Sequence, residues 1–133
     1  MKQITHTPKL ILHNALIENI VRAIVKTNQY NHRNSKARLI HNPGLLKKAG
    51  WRYTTYGTDE YVIFRTDDEG TRALQNLVRT RIRLEDSLEQ LAQRLNEDKK
   101  EHYVKVIQKQ LHEHCNLRVS PNTILKYVTY SDV

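Results

Sequence analysis

The stretch Phe64-Arg65-Thr66-Asp67-Asp68-Glu69-Gly70-Thr71-Arg72-Ala73-Leu74 changes its hydrophobic period within eleven residues. Just upstream, Trp51, Tyr53 and Tyr56 precede Gly57-Thr58-Asp59-Glu60, and the β-branched and aromatic run Tyr61-Val62-Ile63-Phe64 follows. Such runs about a turn predict a β-hairpin over 51–64. Thr66-Asp67-Asp68-Glu69 then has the form of a capping box. The Thr66 hydroxyl would accept from the Glu69 backbone N–H, while the Glu69 side chain returns to that of Thr66. A helix is expected from here, with Ala73, Leu74, Leu77 and Val78 as its buried stripe.

Toward the N-terminus, Ile17, Ile20, Val21, Ile24 and Val25 recur at the spacing of one helical face between Asn14 and about Thr27. Glu18, Arg22 and Lys26 stand four residues apart on the opposite, solvated face. Asn28 to His41 is polar and basic without periodicity and reads as a loop. His41-Asn42-Pro43-Gly44 closes it as a turn, with Pro43 fixing one backbone angle and Gly44 able to take a positive φ. Toward the C-terminus, Leu84, Leu88, Leu91, Ala92 and Leu95 predict a further helix that breaks at Asn96-Glu97-Asp98. Val104, Ile107, Leu111 and Cys115 mark another helix. Ser120-Pro121 suits the start of a short last one, around Pro121 to Tyr127. The expected architecture is α+β and mainly helical, with one small hairpin.

With 133 residues, 38% hydrophobic and 27% charged, the chain is long enough for one core. A single domain over 1–133 is expected, with 1–12 as an extended N-terminal arm. No apolar run has the roughly 18–20 residues of a membrane span. Met1 to Leu10 carries Lys2, His6 and Lys9 and lacks the apolar segment of a secretory signal, so synthesis in a cytoplasm without signal peptide is expected. A lone cysteine, Cys115, leaves neither an internal disulfide nor a multi-cysteine zinc site. His112 and His114 are about 200° apart on a helix and do not face one ion. No cofactor and no metal are expected.

The charge is polarised. Residues 1–50 hold nine bases (Lys2, Lys9, Arg22, Lys26, Arg33, Lys36, Arg38, Lys47, Lys48) and one acid, Glu18, which accounts for the whole net charge of +8. Trp51 to Val133 is neutral, with thirteen bases and thirteen acids. An uneven field of this kind attracts polyanions: nucleic acid, an anionic wall polymer or an acidic protein. The basic patch is assigned to Arg22, Lys26, Arg33, Lys36, Arg38, Lys47 and Lys48.

Three segments taken in order carry a resemblance. They are Ala23-Ile24-Val25-Lys26-Thr27-Asn28-Gln29-Tyr30, Ile40-His41-Asn42-Pro43-Gly44-Leu45-Leu46, and the stretch from Phe64 to Leu74, followed by Glu101-His102-Tyr103. Their order and spacing resemble the lysozyme-like domains of phage virion proteins. Those domains read as a helix ending in Ala-Glu-Gly-Phe, a loop, Asn-Asn-Pro-Gly-Asn-Leu, a hairpin ending in Phe, and Glu-Glu-Gly-x-x-Ala-Leu. The resemblance covers about residues 15–125. It implies a lysozyme-like fold, peptidoglycan as the ligand and a place in or near a virion.

In such domains the Glu after the first helix is the general acid of glycoside cleavage, and a carboxyl holding its proton is what that chemistry needs. Here the position is Asn28, the following Gly is Gln29, and the Asn after Pro-Gly is Leu45. The departures imply a degenerate or repurposed cleft. Any surviving activity would be that of a peptidoglycan glycoside hydrolase or lytic transglycosylase. Asp59 and Glu60 in the hairpin turn, and Glu18 on the solvated helix face, are the carboxylates left as candidates. Turn formation explains Asp59 and Glu60 better than catalysis does, as helix solvation explains Glu18.

The candidate binding residues are Asn28, Tyr30, His41 and Asn42 around the turn, with Trp51, Tyr53 and Tyr56 as rings able to stack on sugars or bases. Turn geometry and hairpin packing account for the same residues without a ligand. Two functions stand side by side. One is a wall-associated protein that binds, with or without cleaving, peptidoglycan strands. The other is an inactive phage or mobile-element protein that binds nucleic acid or a host protein through its basic half.

Overall fold

The computed structural model describes residues 10–47 and 61–130. They are mainly helical with a small two-stranded parallel sheet, the α+β class expected. Along the chain come β1 (Ile11–Leu12), α1 (His13–Thr27), α2 (Lys36–Leu39), α3 (Asp67–Arg81), α4 (Leu88–Leu95), a 3₁₀ turn at Glu97–Lys99, α5 (Lys100–Cys115), a second at Leu125–Tyr127, and β2 (Thr129–Tyr130). Among the described residues no helix is long and apolar enough to cross a membrane. The chain forms two compact units, Ile17–Ile82 and Met1–Leu16 with Arg83–Val133.

In the Ile17–Ile82 unit, α1 buries Ile17, Ile20, Val21 and Ile24, the face its periodicity marks. On the far side Glu18 and Arg22 approach to 4.0 Å while exposed, a pairing worth about 0.3–0.5 kcal/mol. The helix ends in a Schellman motif, with Tyr30 N–H on the Val25 carbonyl and Gln29 N–H on that of Lys26, each at 3.1 Å. The motif puts its penultimate residue in the left-handed region, and Gln29 sits there at φ 56°. Glycine is the residue suited to that place, and a side chain there costs about 1 kcal/mol or more. Gln29→Gly is therefore expected to raise stability by about 1 kcal/mol, read as a higher urea midpoint.

The segment 28–41, expected as a loop throughout, contains the one-turn helix α2. Ser35 caps it by accepting from the Arg38 N–H at 3.2 Å, and Ala37 is fully buried beneath it. Four residues are too few to leave a period in the sequence, so the cap was the only local signal. This helix also ends in a Schellman arrangement, with Asn42 N–H on the Ala37 carbonyl at 2.8 Å and His41 N–H on that of Arg38 at 3.2 Å. His41 takes the left-handed position at φ 54°.

The turn that follows differs from expectation in one respect. The positive φ falls on Leu45 (47°), whereas Gly44 is needed for space, since a Cβ there would lie 2.7 Å from Leu74 Cδ1. Beyond it, Leu46 accepts from the Val62 N–H at 2.9 Å and Lys47 bridges Tyr61 in antiparallel sense. The described pairing thus sets Tyr61 and Val62 against Lys47 and Leu46, which precede the first strand of the hairpin expected over 51–64. Its Trp51, Tyr53, Tyr56, Asp59 and Glu60, together with Lys48, lie outside the described residues. Of the expected capping box at α3 the Thr66 half is formed, its hydroxyl accepting from the Glu69 N–H at 3.1 Å, and Ala73, Leu74 and Val78 are buried below it. Leu77, the fourth residue of the expected stripe, is only partly covered.

In the other unit, the helix expected to include Leu84 starts four residues later. Ser87 and Gln90 form a full capping box there, with each side chain on the other's backbone N–H. Before the cap, Leu84 and Asp86 present their carbonyls to Lys126 and Leu125 N–H, so residues 84–86 pair with the C-terminal segment instead of coiling. Asp86 is nearly buried and holds Arg94 of α4 at 2.5 Å. The helix expected from Pro121 is reduced to the 3₁₀ turn at Leu125–Tyr127, preceded by a turn in which Thr123 Oγ1 accepts from the Ser120 N–H. Of the expected N-terminal arm, Ile11 and Leu12 form β1, pairing parallel with Thr129 and Tyr130.

Candidate functional site

In the Ile17–Ile82 unit the three segments of the resemblance meet. Asn28, just beyond α1, donates its side-chain amide to the Pro43 carbonyl at 3.0 Å. Gly70, in the first turn of α3, lies flat against the same loop. A Cβ on Gly70 would run into the His41 carbonyl oxygen and come within 3.0 Å of Pro43 Cδ. The backbone of the turn is thus clamped from both sides.

Next to this contact stands a cluster on Asp67, the first residue of α3. Its Oδ1 accepts from the Tyr30 hydroxyl and lies 2.8 Å from His41 Nδ1, while the Arg38 guanidinium is 3.9 Å from Oδ2. Arg38 also lies over the Tyr30 ring, 5.0 Å from its centre. Tyr30 is 8% exposed, whereas the side chains of His41, Arg38 and Asp67 are 41%, 46% and 46% exposed. The group therefore has a buried phenol beneath and an imidazole and a guanidinium open to solvent.

The electrostatics follow from these contacts. Hydrogen bonds from Tyr30 and then His41, helped by the Arg38 charge, hold the Asp67 carboxyl below its ordinary 3.8. Burial, and next the bond to the Asp67 carboxylate, push the Tyr30 phenol up from 10.0 to about 12. Asp67 thus adds stability above about pH 4 that is lost as acid titrates through its lowered value. Tyr30 adds stability that is complete below pH 10 and is lost as pH climbs through about 12. Tyr30→Phe is expected to abolish the alkaline fall and shrink the acid one, measured as urea midpoints across pH.

Of the residues singled out in the sequence, Tyr30, His41 and Arg38 are brought together on one carboxylate. Asn28 is held by Pro43. Asn42, expected to point an amide into a groove, is fully buried instead. Its Nδ2 donates to the Leu46 and Val62 carbonyls at 3.0 and 2.9 Å, and its Oδ1 accepts from the Leu46 N–H at 2.9 Å. All its polar capacity goes to tying the turn to the strand that returns at Val62, so no amide is left for a ligand. The patch residues Arg22, Lys26, Arg33, Lys36, Arg38 and Lys47 are all exposed, with Lys36 Nζ 5.7 Å from the centre of the Tyr61 ring. Glu18 remains on the solvated face of α1.

Asp67 was not among the candidates. An acid in the first turn of a helix is expected for its effect on the helix dipole, so the sequence held no excess signal for a second role. Along the first turns of α3 runs an open depression of about 350 Å³ lined by Phe64, Thr66, Asp68, Glu69, Arg72 and Asn76. Asp68 is paired there with Arg72 at 2.9 Å. Among the described residues no His, Cys, Asp and Glu group is disposed to hold a metal ion. Compared with family models, with curated proteins and with solved structures, the chain matches none.

Proposed function

We propose that this chain is a lysozyme-like protein of phage or prophage type that binds the glycan strands of peptidoglycan and does not cleave them through the acid typical of such domains. Backbone conformation carries the reading. Gln29 and Leu45 are left-handed, at φ 56° and 47°, and they stand where the resembling domains have Gly and Asn. Those are the residues that tolerate this conformation best. The loop geometry that the motifs call for is kept although the side chains have changed. The contacts of Asn28 and Gly70 with the Pro43 turn support the same reading.

The chemistry supports binding over cleavage. Leaving-group protonation needs a carboxyl that keeps its proton. Position 28 is an amide engaged with a carbonyl, and Asp67 is held as an anion by its donors. The polar depression along α3 offers carboxylates and an amide to sugar hydroxyls. A second reading, nucleic-acid binding, is favoured by the exposure of all six described patch residues.

One experiment separates the two. Purified protein is mixed with insoluble peptidoglycan and with duplex DNA at low and high salt, and sugar reducing ends are assayed in the wall sample. Retention on peptidoglycan with no new reducing ends is expected. New reducing ends would move the chemistry to Asp59 and Glu60. Retention on DNA alone, falling steeply with salt, would establish the second reading in place of the first.

A further inference from the structure

We propose that His41, oriented by Asp67, is the general base of a site that cleaves RNA by using the RNA's own 2′-hydroxyl. The proposal rests on the nucleic-acid reading and goes beyond it by naming the substrate and the reaction. The ionised Asp67 carboxylate only accepts hydrogen bonds, so its contact with His41 Nδ1 at 2.8 Å puts the imidazole proton on Nδ1. Nε2 then presents its lone pair on a ring that is 41% exposed. A base held by a third group in this way is the general arrangement of acid–base and nucleophilic sites. Tyr30 and Arg38 hold the orienting carboxylate in turn.

The position is also held from the backbone side. His41 occupies the left-handed C-terminal place of α2 at φ 54°, and its carbonyl is packed against Gly70. A non-glycine residue keeps such a conformation at a cost of about 1–2 kcal/mol, and strain of this kind clusters at functional sites.

Charge selects the substrate. Imidazole and guanidinium flank one carboxylate in a basic segment of the chain. A glycoside develops positive charge in its transition state, which the Arg38 guanidinium opposes. A phosphodiester under attack develops negative charge on its non-bridging oxygens, which Arg38 would stabilise. Among the described residues His41 has no hydroxyl or thiol partner, and the Tyr30 hydroxyl is committed to Asp67. Ribose brings a nucleophile of its own, since it places a 2′-hydroxyl beside each phosphate.

In the reaction, His41 Nε2 takes the 2′-hydroxyl proton as the 2′-oxygen forms its bond to phosphorus. The bond from phosphorus to the 5′-oxygen breaks on the far side, the leaving oxygen takes its proton from water, and the imidazolium gives its proton up to solvent. A 2′,3′-cyclic phosphate and a 5′-hydroxyl result, and His41 returns to its neutral form. No electrons are exchanged.

The test uses a labelled single-stranded RNA and its all-2′-O-methyl counterpart, in the presence of EDTA to silence metal-dependent contaminants. Binding is followed by fluorescence anisotropy and products by gel and phosphate-end analysis. Wild type is expected to bind both strands and to cut only the RNA, leaving 2′,3′-cyclic ends. His41→Gly keeps a residue suited to the left-handed backbone. It should lower kcat at least about 100-fold with KM nearly unchanged, and dissolved imidazole should restore part of the rate. Binding of both strands without cleavage, or cleavage by His41→Gly at the wild-type rate, would overturn the proposal and leave nucleic-acid binding standing. No binding to either strand at low salt would overturn both.

Discussion

Gly70→Ala is expected to destabilise the protein by about 3 kcal/mol, although alanine in place of a helical glycine ordinarily gains about 1 kcal/mol. Gly70 is the fourth residue of α3, and its Cα faces the His41 carbonyl oxygen closely enough that an added methyl would overlap it. That oxygen belongs to backbone and has little room to retreat. His41 N–H is bonded to Arg38, Asn42 N–H to Ala37, and Pro43 accepts from Asn28. Relief would require α3 to move away from the turn, stretching the contacts of Asp67 with His41 and Tyr30. Gly44→Ala is the milder comparison, because its methyl would meet the ends of the buried Leu74 and Leu46 side chains and not backbone. About 1 kcal/mol is expected there. Urea unfolding of both variants with unchanged m-values measures the difference. Equal midpoints for Gly70→Ala and wild type would disprove the close packing of α3 on the turn.

Asn42→Ala is expected to cost about 3 kcal/mol, and Asn42→Asp more. The substitution removes three hydrogen bonds inside a fully buried site and leaves the Leu46 N–H without its acceptor there. A buried donor left unsatisfied costs about 1–3 kcal/mol, and each lost neutral bond adds roughly 0.5–1.5 kcal/mol. Aspartate would keep the Leu46 N–H on one oxygen but set the other, in place of Nδ2, against the carbonyls of Leu46 and Val62, where it has no donor to meet. Parallel measurements of unfolding and of ligand retention distinguish the structural role from a ligand contact. A structural Asn42 lowers the midpoint and leaves the affinity of the protein that remains folded unchanged. An unaltered midpoint with lost affinity would put the amide in the binding site instead.

Much of the helical framework was legible in the sequence because its signals are local. The period of Ile17, Ile20 and Ile24 marks the buried face of α1, and Thr66 with Glu69 marks the start of α3. The start of α4, capped by Ser87 and Gln90, was missed because the periodic placement of Leu84 argued for an earlier one. What overrode it was pairing of residues 84–86 with Leu125 and Lys126, far along the chain. The strand pair of Ile11 with Thr129 was illegible for the same reason, since two residues at each end of the sequence hold no period of their own.

The candidate site divides in the same way. Tyr30, Arg38 and His41 were recognisable by residue type, and the Asn-Pro-Gly turn by its backbone preferences. The sequence by itself determined where α1, α3 and α5 run, where the turn lies and which part of the chain is basic. Propensity, capping and charge act between neighbours a few residues apart. Only the tertiary structure decided that Asn42 faces inward, that Gly70 serves contact more than flexibility, and that Asp67 joins Tyr30, Arg38 and His41. Those outcomes depend on which polar groups meet across long separations, and the demand that each buried one find a partner is settled only when the segments pack.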